Sequence, residues 1–155
     1  MLNTISIVLH VLSAVVWVGG MFFAYMALRP VAAQQLEPPQ RLTLWVGVFS
    51  RFFPFVWLSV IFLLATGYTM LYSIWGGFAY APLYIHIMQG ISILMVLIYM
   101  HVYFAPFKRL REAVMTQDWP AGGKQLNQIR QLIAINLSLG LIVVIIASGG
   151  RYIAF

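Results

Sequence analysis

The chain contains no cysteine, which excludes disulfides, thiolate metal sites and iron–sulfur clusters. Acidic residues are also scarce, because only three of the 155 residues are Asp or Glu. These three, Glu37, Glu112 and Asp118, all lie outside the long apolar runs of the sequence. No carboxylate is therefore available inside those runs, and any metal or cofactor chemistry there must use His, Met or Tyr side chains.

Apolar residues, in contrast, dominate the composition. Hydrophobic residues make up 63% of the chain and charged residues 8%, and the mean hydropathy is +0.93. These values lie well outside the range of soluble domains and indicate a membrane protein. The net charge of +6 comes from Lys and Arg residues that are best interpreted as topology signals at membrane ends. The predicted partner is thus the lipid bilayer, and no nucleic-acid binding is expected.

Four apolar runs have the length of about 20 residues that a helix needs to cross the hydrocarbon. They cover approximately residues 5–28, 52–72, 83–107 and 132–150. The first run is longer than the core of a signal peptide and no basic residue precedes it, so we expect it to be retained. The sequence predicts an all-α integral membrane four-helix bundle that forms a single transmembrane domain over residues 1–155.

The connections between these runs contain helix-breaking residues. Arg29-Pro30 and Pro38-Pro39 predict an interfacial loop after the first span. The aromatic, uncharged segment 74–82 predicts a tight turn between the second and third spans. After the third span, the sequence predicts a short amphipathic surface helix that breaks at Pro120 and the glycine pair 122–123.

The basic residues are distributed asymmetrically. Eight of the nine lie in or beside the two loops on one side of the membrane, and Arg151 alone lies on the other. The positive-inside rule therefore predicts cytoplasmic loops and two termini on the periplasmic side of a bacterial inner membrane. Arg29, Arg51 and Arg109 are expected to lie at the inner end, where they contact lipid phosphates or bind anionic groups such as haem propionates.

All three histidines lie inside predicted spans, where a titratable side chain is a candidate functional group. His10 belongs to the first span, and His86 and His101 belong to the third. Spans one and three run in the same direction, so His10 and His86 are expected at similar depth in the outer leaflet. Facing imidazoles in a four-helix bundle are a frame for a bis-histidine haem b. For a single histidine, the alternative is a structural hydrogen bond to a Ser or a carbonyl.

Neighbouring residues extend this hypothesis. Gly90 follows His86 by one turn and leaves space for a macrocycle, and Trp17 either stacks on a porphyrin or packs in the bundle. His101 shares the face of His86 near the cytoplasmic side, but the matching position on the first span holds Tyr25, a weaker haem ligand. One haem is therefore predicted, with His101 serving a proton path, a quinone pocket or a second metal site.

Two stretches of the sequence resemble known families. LHVLSAVVWVGGMFFAYMALRP resembles the first span of CopD-like membrane proteins, which are named for copper resistance. YIHIMQGISILMVLIYMH resembles the third span of HemJ, the haem-binding protoporphyrinogen oxidase. The resemblance implies that His10 binds haem b. In HemJ a lysine follows the third-span histidine by two residues, whereas this chain has Met88, which opens a His10/Met88 pair as an alternative to His10/His86.

Four functions remain open from the sequence. The first is a haem b electron carrier or oxidoreductase that exchanges electrons with a quinone or a periplasmic partner. The second, implied by the resemblance to HemJ, is protoporphyrinogen oxidation, which the missing lysine argues against. The third is copper uptake or handling through Met and His ligands, as the CopD-like resemblance implies. The fourth is a structural membrane subunit, and any of the four is compatible with a homo-oligomer.

Overall fold

The computed structural model describes residues 1–150 and Tyr152, and helices account for nearly all of them. Within that part of the chain, four helical runs are long and apolar enough to cross a membrane, as predicted. The helices are α1 (Leu2–Phe22), α2 (Arg29–Gln35), α3 (Pro38–Trp75), α4 (Leu83–Phe104), α5 (Pro106–Met115) and α6 (Trp119–Gly149). Arg151, the basic residue assigned to the opposite side of the membrane, lies outside the described residues.

The prediction of a loop after the first span is wrong. A π-helical turn, Phe23–Leu28, joins α1 directly to α2, so helix continues to Gln35. The wide turn closes with a bond from the Arg29 N–H to the Ala24 carbonyl, five residues back. Pro30 has no N–H to donate to an α-helical partner, and it lies in the first turn of α2, where that loss costs little. Pro38 and Pro39 begin α3 for the same reason.

The predicted break at Pro120 and the following glycines is also wrong, because these residues lie inside α6. The turn falls earlier, at residues 116–118, where Gln117 has a positive φ of 57°. The Asp118 carboxylate then accepts a hydrogen bond from the Ala121 N–H at 3.1 Å and caps the new helix. The predicted short amphipathic helix is present as α5; its apolar residues Phe107, Leu110 and Ala113 are buried against the bundle, and its basic residues are exposed.

The helices form two closely packed pairs. Helix α1 packs mainly on α3, and α4 packs on α6, while α6 also contacts α1 and α3. Aromatic rings fill the centre, where Tyr99 of α4 meets Trp17 of α1 and Phe53 and Trp57 of α3. The Tyr99 hydroxyl donates to the Phe53 carbonyl at 3.0 Å, immediately before the proline that interrupts the hydrogen bonding of α3.

Each end of the bundle has a recognisable set of connections. We call the end with Leu2, the turn 76–82 and Gly149 the terminal end, and the end with the breaks at 36–37 and 116–118 the loop end. Helix α3 has 38 residues, which is longer than the roughly 20 residues that span hydrocarbon. The surplus lies at the loop end, because α2, α5 and the first turns of α3 and α6 extend beyond the predicted spans.

Gly140 lets three helices approach one another at the centre of the bundle. A Cβ added there would lie 2.9 Å from Cγ2 of Val18 and 3.2 Å from Cε of Met95. Because β-branched Val18 has little rotamer freedom, we expect Gly140→Ala to cost about 1 kcal/mol of stability. Gly90→Ala is the matched control, since a Cβ there meets nothing within 4 Å. Thermal unfolding in detergent micelles should show a lower Tm only for Gly140→Ala; equal Tm values would contradict the packing.

Candidate functional site between the first and second spans

His10 of α1 faces α3. Its Nδ1 lies 2.9 Å from Oγ1 of Thr66, and the Thr66 hydroxyl itself donates to the carbonyl of Phe62 one turn earlier. A threonine hydroxyl has a single proton to donate, so Thr66 Oγ1 must act as the acceptor in its contact with His10. With this assignment the neutral imidazole has its proton on Nδ1 and its lone pair on Nε2.

This arrangement is the one that metal-binding histidines usually show, with one ring nitrogen fixed by a neighbouring acceptor and the other available to the metal. Gly67 contributes to it directly. A Cβ at this position would lie 3.3 Å from Cε1 of His10, so a glycine beside Thr66 gives the imidazole ring its space. Helix α3 therefore both orients His10 and accommodates it.

A strip of polar side chains, which we call the polar seam, continues from His10 in both directions between α1 and α3. At the terminal end the Ser73 hydroxyl donates to Oδ1 of Asn3 at 2.7 Å. Ser6, Ser13 and Ser59 are buried although they lie inside apolar helices, whereas Ser73 is exposed at the terminal end. The members of the polar seam are Asn3, Ser6, His10, Ser13, Ser59, Thr66 and Ser73.

The register of the two helices relates a methionine to the polar seam. Because α1 and α3 are antiparallel, the pairs Asn3–Ser73 and His10–Thr66 fix which residues lie at equal height. The same register puts Met70 level with Ser6, one turn from Thr66 on the face of α3 that meets α1. Met70 is half-buried there, so a thioether accompanies the imidazole on the terminal side of the bundle.

The polar seam is followed toward the loop end by Asn136 of α6. Asn136 is only 3% exposed, and its Nδ2 donates to the Met95 carbonyl at 3.3 Å. Its Oδ1 has no hydrogen-bond partner in the part of the chain that the structure describes. Trp17, Tyr99 and Asn136 line a common cavity of about 20 Å³, which is large enough for one water.

The other two histidines are not part of this site. His86 is exposed, with its ring centroid 6.0 Å from that of Phe78, and His101 is exposed on the same helix. The structure thus directs His10 toward α3, whereas His86 lies on the exposed surface of α4, beside Phe78. Their predicted pairing is not present in this arrangement. Gly90 is exposed beside open space and Met88 is half-buried.

The remaining candidates from the sequence have other neighbours. Trp17 is buried against the edge of Tyr99, so it packs in the bundle. The ring of Tyr25 lies under the guanidinium of Arg29, 4.8 Å away, at the loop end. Arg51 is exposed. Among residues 1–150 and 152, no three His, Cys, Asp or Glu side chains converge on a possible metal position.

Comparison with known families gives one match. The family model for copper resistance protein D matches residues 46–149, which is more than half of the chain. The chain belongs to this family. Together with the four apolar helices, the match identifies a copper-resistance-type, multi-pass membrane protein. Comparison with curated proteins and with solved structures finds no significant match.

The family match covers a different part of the chain from the stretch of the first span that resembles CopD-like proteins. The stretch around His10 lies before the matched range, whereas Thr66, Gly67 and Met70 lie inside it. Sequence reasoning missed these partners of His10 on the second span. The available signal was the small, polar pair Thr66-Gly67 in an otherwise apolar run, together with serines at helical spacing around His10.

Proposed function

We propose that this protein handles copper within a bacterial inner membrane and that His10 is the principal ligand. The observation that carries the proposal is the contact of His10 Nδ1 with Thr66 Oγ1, which leaves Nε2 as the ring nitrogen for a metal. Imidazole and thioether groups are ligands that suit copper, and thioethers favour Cu(I). Family membership supports copper as the cargo.

The polar seam gives this ligand access from the terminal end. Asn3 and Ser73 lie where the seam opens, and Met70 is near the level of Ser6, between that opening and His10. A copper ion that enters along the seam would meet the Met70 thioether before the His10 imidazole. The terminal end is the periplasmic side in the orientation predicted by the positive-inside rule.

The direct test is a Cu(I) titration of the detergent-purified protein against a chromophoric chelator under anaerobic conditions. We expect one Cu(I) ion per chain to be withdrawn from the chelator. Zn(II) titrated in the same way should compete poorly, because the His10 imidazole and the Met70 thioether do not complete its tetrahedral shell. Failure of the wild-type protein to withdraw any Cu(I) would overturn the proposal.

Thr66→Val tests the orienting hydrogen bond. Valine has nearly the shape of threonine but cannot accept the proton of Nδ1, so His10 should lose its fixed tautomer and orientation. Loss of such an outer partner typically weakens metal binding about 10-fold to 100-fold, and we expect the lower value. Thr69→Val is the matched control, because Thr69 makes the same bond to a carbonyl of its own helix, at Ala65, and is not a partner of His10. Equal Cu(I) affinities of the two variants would contradict the role of Thr66.

A second candidate function is the binding of haem b, which the same Nε2 favours, since it also suits an axial position on iron. The side chains fit one axial contact and not the predicted bis-histidine site, because His86 lies on the exposed surface of α4. When bound, haem would supply one-electron redox chemistry. Absorption spectra of the protein as purified and after reduction separate the two candidates. A Soret band of the wild-type protein that is lost in His10→Ala supports haem. A wild-type protein without a Soret band supports copper.

A further inference from the structure

A large cavity lies at the loop end, apart from the polar seam. Its volume is about 700 Å³, and residues of α2, α3 and α6 line it together with the π-helical turn. Three arginines are among the lining residues: Arg29, Arg41 and Arg130. No Asp or Glu lines it, so the cavity carries an uncompensated positive charge.

The contacts of these arginines are with neutral groups. Arg29 stacks on Tyr25, Arg41 donates to the Ala33 carbonyl at 3.5 Å, and Arg130 donates to Oδ1 of Asn127. Arg29 and Arg41 are half-buried, whereas the other Lys and Arg side chains among the described residues are exposed. Both guanidinium groups line the cavity without a carboxylate among the lining residues, so their charge favours an anion there.

The remaining walls are apolar and aromatic. Trp45 and Phe49 are buried lining residues, and Trp119 also lines the cavity. Of the other lining residues, Met26 and Ile133 belong to the predicted membrane spans, whereas Pro38 and Arg41 lie beyond them at the loop end. The cavity therefore combines a cationic region at headgroup level with apolar walls directed toward the bilayer, an arrangement complementary to an amphiphile with an anionic head.

We propose that this cavity binds an anionic phospholipid of the surrounding leaflet, with the phosphate between Arg29, Arg41 and Arg130 and the acyl chains leaving past Met26 and Ile133. Arginine suits this task because its planar fork of donors matches phosphate oxygens. This set differs from the arginines named from the sequence. Arg51 and Arg109 do not line the cavity, and Arg41 and Arg130 take their places beside Arg29.

The test is native mass spectrometry of the full chain released from nanodiscs that contain phosphatidylglycerol and phosphatidylcholine. We expect one phosphatidylglycerol molecule to remain bound to the wild-type protein. The double variant Arg29→Gln/Arg41→Gln should lose it, at least tenfold in occupancy, while the matched control Arg51→Gln/Arg109→Gln removes the same charge outside the cavity and should retain it. If both double variants lost the bound phosphatidylglycerol equally, general surface charge would explain its binding, and the proposal would be overturned.

A variant that keeps every charge isolates the cavity itself. A Cβ at Gly123 meets nothing within 4 Å, and Gly123 lines the cavity, so Gly123→Phe should fill it without disturbing the helix. We expect it to displace the bound phosphatidylglycerol. Retention of the lipid by Gly123→Phe would overturn the proposal. So would its displacement by millimolar inorganic phosphate, because the site would then bind a free anion and not a lipid.

Discussion

His10→Ala is expected to lower the Cu(I) affinity of the purified protein by about 100-fold or more. In the proposed site Thr66 holds the imidazole through Nδ1 and leaves Nε2 for the metal, so the substitution would remove the ligand and not only its support. Outer partners of metal ligands are typically worth 10-fold to 100-fold in affinity, and the ligand itself should exceed them. Chelator competition under anaerobic conditions measures the change.

His101→Ala provides the control, because His101, like His10, is a histidine inside a predicted span, but it is exposed on α4. It should bind Cu(I) like the wild-type protein. The fold should survive His10→Ala, since the Thr66 hydroxyl keeps its bond to the Phe62 carbonyl, and far-UV circular dichroism checks this. An unchanged affinity of a folded His10→Ala protein would exclude His10 as a ligand. A loss of equal size in His101→Ala would indicate a different site.

The largest effect on stability is expected at Tyr99. Its ring meets the edges or faces of Trp17, Phe53 and Trp57, and its hydroxyl donates to the carbonyl of Phe53. Tyr99→Ala should therefore cost about 3–5 kcal/mol, the usual range for deleting a buried aromatic ring. In a membrane most of this cost is lost packing, because lipid is as apolar as the protein interior.

Tyr99→Phe separates the ring from the hydroxyl. It keeps the aromatic contacts and loses one hydrogen bond, so about 1 kcal/mol is expected. Tyr80→Ala is the control, since Tyr80 is 77% exposed and should be nearly neutral. Denaturation in mixed detergent micelles gives the three values. If Tyr99→Ala and Tyr99→Phe destabilised the protein equally, the ring contacts would contribute little and the hydrogen bond would dominate.

The number and approximate position of the membrane spans could be predicted because apolar length is a direct physical requirement of the bilayer. The ends of the helices could not be predicted in this way. Pro30 and Pro120 were interpreted as breaks, yet both lie within helix: a π-helical turn precedes Pro30, and Pro120 lies in the first turn of α6, where its missing N–H has no partner to lose. The same residue type is thus compatible with opposite conclusions, and only the surrounding packing decides between them.

The candidate site was partly predictable for a similar reason. A histidine in an apolar span is costly, so His10 stood out by chemistry alone. Its partner was not predictable from depth. Heights along parallel spans matched His10 with His86, but lateral neighbours in a bundle are set by which helices pack closely, and α1 packs on α3. Thr66 lies at the corresponding height on that antiparallel neighbour, and threonine is too common in membrane helices to attract notice.

The π-helical turn Phe23–Leu28 has a consequence for how the two ends of the protein relate. A turn that closes five residues back, as the Arg29 N–H does on Ala24, holds one residue more than an α-helical turn, so every later residue lags by about 100° behind its position on a regular α-helix. On a regular helix Arg29, 19 residues after His10, would lie about 100° away from the stripe that carries His10. The π-helical turn removes this offset, so one continuous face of the first helical run meets both the polar seam and the loop-end cavity. A one-residue deletion within the turn would restore α-helical geometry and leave the two directions unchanged.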